Sequence, residues 1–327
     1  MNISNAKSAK SAIQGTSSDI HTQEAFAAAL ARGLDKVWKR TFETPMQGAQ
    51  YFREETLQRE SATYQTYRGM GGLVPQNRDA DDIPYATRGE GFGFTVNTFN
   101  YRRGVAIEKT LTEVDDIGVA RGLQADLAHN AKMTIEYANA DVLNRGIYVD
   151  GNSRAPFLCD DGCFLIDSGR PNANPEAGTW SNLEATGGIT DTSLFTAQLN
   201  ARAMTGEDGE LYPTYIQKLV IRPADEKTVW TLLKSDLKTG TALNDKNFLQ
   251  GKFEYEIYDY LTAANVYFLL GDPKSDMNEL MFFWRVRPEF ETWKDGSNPD
   301  ITRQRVRFAF GQGCGSPRKI WRGGKTA

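Results

Sequence analysis

The segment that most limits how this chain can fold is residues 63–104, where alternating flanks enclose an irregular middle. The flanks, residues 62–67 and 92–101, show partial alternation of apolar and polar residues, which predicts two strands. The middle, residues 69–90, is rich in Gly, Tyr, Asp and Arg and predicts a long turn. Because an isolated hairpin is marginally stable in water, this ribbon is expected to make intermolecular contacts.

The longest helical signal follows the ribbon. Apolar residues from Leu111 to Val142 recur near the helical period over about 30 residues, which corresponds to roughly 45 Å. Thr112 or Asp116 is placed to begin this spine helix, and Gly146 stands where a helix would end. His129 falls within it, and we interpret His129 as a half-exposed helical residue rather than a catalytic one.

The N-terminal residues 1–45 divide into a polar tail and one amphipathic helix. Residues 1–20 are polar and have no periodicity. A single apolar stripe follows, and because it needs a surface to cover it, we predict that it contacts another subunit. This stripe consists of Phe26, Leu30, Leu34, Val37 and Trp38.

Residues beyond the spine helix predict a mixed α/β region. Residues 147–190 are rich in turn signals. Asp191 or Thr192 is placed to cap a helix that runs to about Ala203, and a turn is expected at residues 206–210. A strand over 215–221, a helix opened by Pro223 and a β-rich stretch over 253–270 follow.

Two long strands are predicted near the C-terminus, over 280–293 and 301–310, joined by the turn sequence KDGSNPD. In the second strand, basic and mostly apolar positions alternate, so one face is basic and the other is largely apolar. The basic positions are Arg303, Arg305 and Arg307, and the alternating positions are Gln304, Val306 and Phe308.

Composition argues against several classes of protein. The formal net charge is -4, from 42 acidic and 38 basic residues, which argues against a nucleic-acid binder that is basic throughout. No run of about 18 apolar residues occurs, so no membrane span is expected. The Ser/Asn/Lys-rich N-terminus lacks the apolar segment of a secretory signal.

Cysteine and histidine usage argues against a metal site. The three cysteines, Cys159, Cys163 and Cys314, are few and odd in number, which fits free thiols in a reducing cytoplasm. The stretch CDDGC could begin a zinc site, but the two histidines, His21 and His129, are far away in sequence. We therefore predict no metal and no cofactor.

Motifs of enzymes are also missing from the sequence. It contains no GxxxxGK[ST], HExxH, GxSxG or CxxC. The closely spaced Gly89, Gly91 and Gly93 are not followed by a predicted helix, so a dinucleotide site is not expected. Acid pairs such as those at 115–116 and 160–161 fit caps and turns. No catalytic residue is assigned.

The order of these elements resembles the major capsid proteins of tailed bacteriophages. IYVDGNSRAPFL to AGTWSNL resembles the link after the family's spine helix, and VIRPADEKTVWTLL resembles the strand and helix of its axial domain. NPDITRQRVRFAFGQGCGSPRKIW resembles the closing strand of the family. The resemblance covers nearly the whole chain from about residue 20 and rests on order and spacing rather than on one specific motif.

The resemblance implies an α+β, HK97-type capsid fold with four parts. These are an N-terminal arm (1–45), an extended loop or E-loop (63–104), a peripheral domain (46–62, 105–185 and 276–312) that holds the spine helix, and an axial domain (186–275 and 313–327). It implies a non-enzymatic shell subunit that forms hexamers and pentamers around double-stranded DNA. The chain would assemble in the host cytoplasm and reside in the virion.

Partners and contact residues follow from the same resemblance. A separate scaffolding protein and a portal are expected, a decoration protein is left open, no membrane partner is expected, and the chain is expected to escape trimming. No lysine lies between Ser61 and Glu108, so the loop cross-link of some family members is not expected. The E-loop contacts are predicted at Tyr64, Tyr67, Arg68, Leu73, Arg78, Asp81, Asp82, Ile83, Tyr85 and Arg88.

Basic segments suggest an inner surface that meets DNA through non-specific phosphate contacts. Six Lys/Arg stand against three acids before residue 42, and seven stand against one acid in residues 300–327. Inter-subunit salt bridges explain these residues equally well. The candidates are Lys36, Lys39, Arg40, Arg303, Arg305 and Arg307. An encapsulin-like nanocompartment shell, an unrecognised enzyme and a non-capsid DNA-binding protein remain as alternative functions.

Overall fold

The structure, a computed structural model, describes residues 40, 45–67, 85, 88–109, 117–147, 157–184, 187–237, 246–271, 280–298 and 300–324. The chain divides into two compact units. One unit includes Arg102–Ala131 and Glu289–Val306, and the other comprises Pro45–Tyr101, Lys132–Pro288 and Arg307–Ala327. The domain boundaries inferred from the family resemblance stay a prediction.

Three α-helices, three short 3-10 helices and thirteen strands are given bounds in the described residues. The α-helices are α1 (Ile117–Asn144), α2 (Asp191–Arg202) and α3 (Glu226–Lys234). The strands are β1 (Arg53–Thr56), β2 (Ser61–Tyr67), β3 (Glu90–Asn97), β4 (Phe99–Glu108), β5 (Arg170–Pro171), β6 (Thr179–Trp180), β7 (Leu183–Glu184), β8 (Lys218–Ile221), β9 (Glu254–Ile257), β10 (Tyr267–Leu270), β11 (Leu280–Lys294), β12 (Ile301–Cys314) and β13 (Ile320–Gly323).

The predicted spine helix is α1, which has 28 residues. It ends at Asn144, and the amide of Gly146 donates to the carbonyl of Leu143 over 3.1 Å, which closes the last turn as predicted. The two starting residues proposed from the sequence, Thr112 and Asp116, lie outside the described residues. His129 is exposed on this helix.

The ribbon is the antiparallel pair β2–β3, with Tyr64 opposite Phe94 and Ala62 opposite Val96. The sequence predicted a single strand over the flank 92–101 with a break in its pattern after Val96, whereas the structure has two strands there, β3 and β4. The strand breaks at Thr98, whose amide and hydroxyl both donate to the carbonyl of Glu60 over 2.9 Å. Beyond this break the chain continues as β4, which belongs to a different sheet.

A four-stranded sheet has the order β1-β11-β12-β4 and contains the predicted pair of long strands. Along β12 the side chains of Gln304, Val306 and Phe308 are buried, while Arg303 is exposed and Arg305 is half-buried. This agrees with the predicted alternation of faces. Beyond Phe308 every residue of the strand is buried except Gln312, which is half-buried.

A five-stranded sheet of order β7-β13-β10-β8-β9 carries an extensive hydrophobic core. One of its faces packs against α2 and α3. The core side chains include Leu194, Ala197 and Ala201 of α2, Val229 and Leu233 of α3, and Leu219, Ile221, Tyr267, Leu269 and Trp321 of the sheet. The C-terminal strand β13 lies inside this sheet, so the sheet combines segments far apart in sequence.

The starts of two predicted elements in this region, a helix and a strand, differ from those in the structure. The helix α2 is capped by Thr190 rather than by Asp191 or Thr192, because Ser193 lies at the spacing a capping box requires. The hydroxyl of Thr190 accepts from the Ser193 amide over 3.1 Å, and the Ser193 hydroxyl accepts from the Thr190 amide over 3.1 Å. The strand predicted over 215–221 begins only at Lys218. The residue before it, Gln217, already donates its amide to the carbonyl of Leu270 over 3.1 Å.

Candidate assembly surfaces

The root of the ribbon is fixed to the chain's own core. The ring of Tyr64 stacks on Phe94 at 5.5 Å and packs against Phe283 of β11 at 5.0 Å. Leu57 and Val96 complete this small cluster together with Met281. The sequence assigned Tyr64 to a contact between subunits, whereas the structure places it in a contact within the chain. Its contact with a second subunit stays a prediction.

Further out, the ribbon exposes its aromatic side chains. Tyr67 ends β2 and is exposed, and the guanidinium of Arg88 lies over its ring at 5.4 Å. Tyr85 has 91% of its surface exposed. Side chains of this kind, when left in solvent, are typical of surfaces that bind a partner.

Several predicted contact residues cannot be placed. In the E-loop, the residues outside the described part of the chain are Arg68, Leu73, Arg78, Asp81, Asp82 and Ile83. In the N-terminal arm they are Phe26, Leu30, Leu34, Val37 and Trp38, together with the basic Lys36 and Lys39. Arg40 is described and is exposed.

A cavity of about 430 Å³ lies beneath the ribbon. One wall comes from β2 and β3, and the other comes from the hairpin at residues 158–164, β6 and the turn at residues 206–210. Aromatic rings form much of the lining, which includes Tyr64, Tyr67, Phe92, Phe94, Trp180 and Tyr212. The carboxyl groups of Asp160, Asp161 and Glu207 also line it.

Two buried arginines support the floor of this cavity. Arg170 is fully buried, its Nη2 lies 2.7 Å from Oδ2 of Asp161, and its Nη1 donates to the carbonyls of Phe164 and Leu165. Its guanidinium also lies over the ring of Trp180 at 5.0 Å. The carboxylate of Asp161 therefore compensates the charge of a group that burial would otherwise disfavour.

The second arginine, Arg318, contacts the same tryptophan at 4.5 Å. Its Nη2 donates to Oε1 of Glu207 and to Oδ1 of Asn172, each over 2.7 Å, and its Nη1 donates to the carbonyl of Thr205. Trp180 thus contacts two cations, each of which has a carboxylate partner. These contacts fix the turn at residues 206–210 against the segment near the C-terminus.

Asp160 faces the ribbon, and its Oδ2 lies 3.4 Å from the hydroxyl of Thr66 in β2. Burial, followed by the adjacent Asp161, raises the pKa of Asp160 to about 6, although Arg170 acts in the opposite direction. Asp160 forms no ion pair with the described residues. Its protonation changes near neutral pH, where the group can alternate between donating to and accepting from the ribbon.

A buried carboxylate on α1, that of Glu136, binds the backbone at residues 47–48. Glu136 accepts hydrogen bonds from the amide of Gln47 over 2.5 Å, from the amide of Gly48 over 2.9 Å and from the hydroxyl of Tyr258 over 3.2 Å. Burial, followed by the charge of Glu136, raises the pKa of Tyr258 above its ordinary value, so this phenol stays a donor.

Two of the three basic residues of β12 form ion pairs within the chain. Arg303 Nη2 lies 2.6 Å from Oδ2 of Asp295, and Arg305 Nη2 lies 2.6 Å from Oε2 of Glu291. Arg307 is half-buried. The contacts of these arginines with DNA stay a prediction.

The CDDGC stretch forms the tip of the hairpin at residues 158–164. The amide of Cys159 donates to the carbonyl of Cys163 over 2.9 Å, which closes the hairpin. Cys159, Cys163 and Cys314 are free thiols, and burial raises the pKa of Cys163 and Cys314. Across the described ranges, no group of three or more His, Cys, Asp or Glu residues is arranged to hold a metal ion. None of the helices described is both long and apolar enough to span a membrane.

Sequence reasoning missed the three buried charged residues of this region, Glu136, Arg170 and Arg318. Glu136 follows Ile135 within the apolar periodicity of α1, and that position could have marked it as buried. Arg170 and Arg318 offered no such signal. Arg318 in particular meets its partners Asn172 and Glu207 from more than a hundred residues away in sequence.

Comparison with known proteins gives matches only at the level of structure. No protein-family model matches the sequence, and no curated protein matches it. A chain of Mycobacterium phage Patience matches with a TM-score of 0.54 at 12% identity, covering 94% of this chain and 89% of that chain. The capsid of Ralstonia phage GP4 matches with a TM-score of 0.52 at 12% identity, covering 81% and 82%.

The procapsid of bacteriophage JBD30 also matches, with a TM-score of 0.50 at 16% identity, covering 94% of this chain and 77% of that chain. The chain therefore has the fold of these phage structures, which include a capsid and a procapsid. The α+β, HK97-type fold predicted from the sequence is confirmed.

Proposed function

We propose that this chain is the major capsid subunit of a tailed bacteriophage, which assembles into hexamers and pentamers of an icosahedral shell around double-stranded DNA. The observation that carries this proposal is the likeness to phage capsid structures over 81–94% of the chain. The ribbon supports it, because its root is fixed in the chain's own core while Tyr67 and Tyr85 stay exposed.

The shell is held together without covalent links between ribbons. No lysine occurs between Ser61 and Glu108, so this segment lacks the amine that an isopeptide bond would need. Assembled particles should therefore dissolve into single chains on a denaturing gel. A ladder of covalent multimers from the unmodified protein would contradict this part of the proposal.

DNA contacts in the shell are non-specific and come from basic residues of the inner surface. Arg40 and Arg307 are the described candidates for which no ion pair is found, whereas Arg303 and Arg305 already face Asp295 and Glu291. A surface of this kind binds phosphate with a strong dependence on salt. The other partners that this function requires are a separate scaffolding protein and a portal, and assembly takes place in the host cytoplasm.

The test is expression of the full chain, alone and together with the neighbouring genes, followed by size-exclusion chromatography and negative-stain electron microscopy. Closed shells or rings of five and six subunits are the expected result. DNA within the particles supports a phage capsid, whereas protein cargo without DNA would identify a nanocompartment. A stable monomer under every condition would refute the shell function.

A further inference from the structure

The ribbon β2–β3 is held differently on the two sides of Thr66. On the inner side, Tyr64 packs against Phe283 at 5.0 Å and fixes the root of the ribbon to the core. The register of the strand pairing then shifts between Gln65 and Tyr67, where Thr66 lies. Such an irregularity bends a strand and interrupts its ladder of hydrogen bonds. The outer ribbon can therefore turn about Thr66 while the root stays in place.

The hydroxyl of Thr66 faces two acceptors but has one hydrogen. It donates to the carbonyl of Phe92 on the facing strand, and it lies 3.4 Å from Oδ2 of Asp160 in the hairpin at residues 158–164. While Asp160 is ionised, both of these oxygens can only accept, so they compete for the same hydrogen. One of them is then left without this partner, which is unfavourable because Thr66 and Asp160 are half-buried.

A proton on Asp160 removes this competition. Oδ1 of Asp160 already accepts a hydrogen bond from the amide of Asp161 over 2.9 Å, so the proton belongs on Oδ2, which faces the ribbon. Oδ2 then donates to the hydroxyl of Thr66, and Thr66 keeps its own hydrogen for the carbonyl of Phe92. Ordinary O–H···O bonds are about 2.8 Å long, so the 3.4 Å separation should shorten when the proton binds.

The carboxyl groups beside Asp160 have arginine partners, whereas Asp160 itself has none among the described residues. Nη2 of Arg170 lies 2.7 Å from Asp161, and Nη2 of Arg318 lies 2.7 Å from Glu207. Burial raises the pKa of Asp160 most, Asp161 and Glu207 raise it further, and Arg170 acts in the opposite direction. The resulting pKa is about 6, so Asp160 changes its charge near neutral pH.

A guanidinium on the ribbon and two thiols complete the charged and titratable surroundings of Asp160. Arg88 lines the same cavity as Asp160, and its guanidinium lies over the ring of Tyr67 at 5.4 Å. A guanidinium stays charged throughout the pH range in which proteins are folded. Burial raises the pKa of the thiols of Cys163 and Cys314, so both stay neutral. None of these three groups changes its charge in the range where Asp160 does.

The position of the ribbon decides how much water reaches Asp160. Thr66, Tyr67 and Phe92 line the cavity of about 430 Å³ from the ribbon, and Asp160 lines it from the hairpin. An outward turn of the outer ribbon admits water to Asp160 and returns its pKa toward the ordinary value of 3.8. The closed ribbon therefore binds the proton more tightly than the open ribbon does.

We propose that Asp160 and Thr66 form a pH-sensitive switch, in which protonation holds the outer ribbon against the hairpin and ionisation releases it. The closed ribbon is fully favoured below about pH 4, and this preference is lost as the pH rises through about 6. Each pKa unit is a factor of ten, so the ratio of closed to open ribbon falls by at most about 100-fold. All groups of the switch belong to one chain, so the switch operates whether or not the chain builds a shell.

Hydrogen–deuterium exchange of the full, unassembled chain at about pH 4 and about pH 7 tests this switch. Exchange rates are divided by those of the unfolded chain at each pH, so that they report protection by structure. Amides at residues 90–93 should be less protected than those of β10, which shows local opening, and their protection should fall by about 10- to 100-fold at the higher pH. Protection equal to that of β10, or a fall of less than about twofold, would overturn the inference.

Asp160→Asn keeps the switch in its protonated form. The amide group of asparagine donates to Thr66, its oxygen accepts from Asp161, and no charge appears at any pH. The protection of residues 90–93 should therefore be the same at both pH values and match that of the unmodified chain at about pH 4. Persistent pH dependence in this variant would overturn the inference, because it would assign the titration to Asp161, whose pKa burial also raises.

Thr66→Val removes the hydroxyl and keeps the β-branched shape of the side chain. The protection of residues 90–93 at about pH 4 should fall about fivefold, which corresponds to the loss of one hydrogen bond. Thr63→Val is the matched control, because the hydroxyl of Thr63 contacts that of Thr95 at 3.0 Å on the exposed face of the ribbon. This control should leave the protection of residues 90–93 and its pH dependence unchanged. Equal effects of the two substitutions would overturn the inference, because the position of the hydroxyl would then be irrelevant.

Discussion

The ribbon and the five-stranded sheet are both built from β-strands, but they bury their side chains to very different extents. In β10 every residue is buried, and the sheet combines strands from residue 183 to residue 323. In β2 the side chains alternate between exposed and half-buried, and of the described ribbon strands only Val96 is fully buried. The sheet therefore stabilises the chain by itself, whereas the ribbon reaches its full stability against another surface.

This difference separates folding from assembly within one chain. Substitutions in the sheet and its buried supports should lower the free energy of unfolding of the isolated subunit. Substitutions in the outer ribbon should leave that free energy almost unchanged and affect assembly instead. The expected effects on folding can be ordered from the largest to the smallest.

The largest loss of folding stability is expected from Arg170→Ala. The substitution leaves the carboxylate of Asp161 buried without its cation at 2.7 Å and removes a contact with Trp180. Breaking a buried pair in this way lowers the free energy of unfolding by about 4 kcal/mol. Urea denaturation of the unassembled chain measures it. A loss below about 1 kcal/mol would show that the pair does not support the fold.

Leu269→Ala is expected to have the next largest effect. Leu269 is fully buried in β10 at the centre of the sheet, so truncation leaves a cavity that the neighbouring strands cannot fill. The free energy of unfolding should fall by about 3 kcal/mol. The same urea titration provides the measurement, and an effect no larger than that of a ribbon substitution would contradict the comparison.

Asp160→Asn should have a smaller effect, and this effect depends on pH. The folded-state pKa of about 6 is above the ordinary value of 3.8, so the folded chain binds more protons than the unfolded chain between these values. Stability of the unmodified chain therefore falls as pH rises from about 4 to about 6 and is constant above that range. Asn carries no charge, so the variant should be more stable by about 2 kcal/mol at pH 7 and nearly equal at pH 4.

Thermal melts at both pH values measure this difference. The matched control is Asp161→Asn, which removes the charge that faces Arg170 and should be destabilising at pH 7. Equal behaviour of the two variants at pH 7 would contradict the distinct roles of these adjacent carboxyl groups.

Tyr67→Ala is expected to have the smallest effect on folding. The side chain is exposed at the end of β2, and its described ring contact is with Arg88 at 5.4 Å. The free energy of unfolding should change by less than about 0.5 kcal/mol, while the yield of shells falls. Sedimentation of particles measures the yield of shells, and a urea titration of the unassembled chain measures the free energy of unfolding. A loss of folding stability comparable with that of Leu269→Ala would remove the distinction between ribbon and sheet.

Local periodicity was sufficient to predict most elements of this fold. The apolar period predicted α1 and its end before Gly146, and alternation predicted the faces of β12. The pattern of residues 92–101 is interrupted after Val96, but it does not reveal that the two halves belong to different sheets. The hydrogen bonds from Thr98 to Glu60 involve a residue 38 positions away, which local patterns cannot report.

The candidate surfaces were less predictable than the fold. The exposed aromatic residues Tyr67 and Tyr85 were identified from composition and position in the ribbon. The buried arginines were not, because an arginine is usually exposed unless it has a partner, and the partner here is known only after folding.

The bonds that Glu136 makes with Gln47 and Gly48 have a mechanical consequence. Gly48 lies so close to α1 that an added Cβ would stand 2.9 Å from the Cβ of Asn139, so only glycine fits this approach. A force that pulls on the chain ahead of Gln47 therefore loads two hydrogen bonds to one carboxylate of a long helix, before it reaches any sheet. Helix α1 is therefore the first element of the subunit to bear such a force, and Glu136 is the residue through which a pull from a neighbouring molecule reaches it.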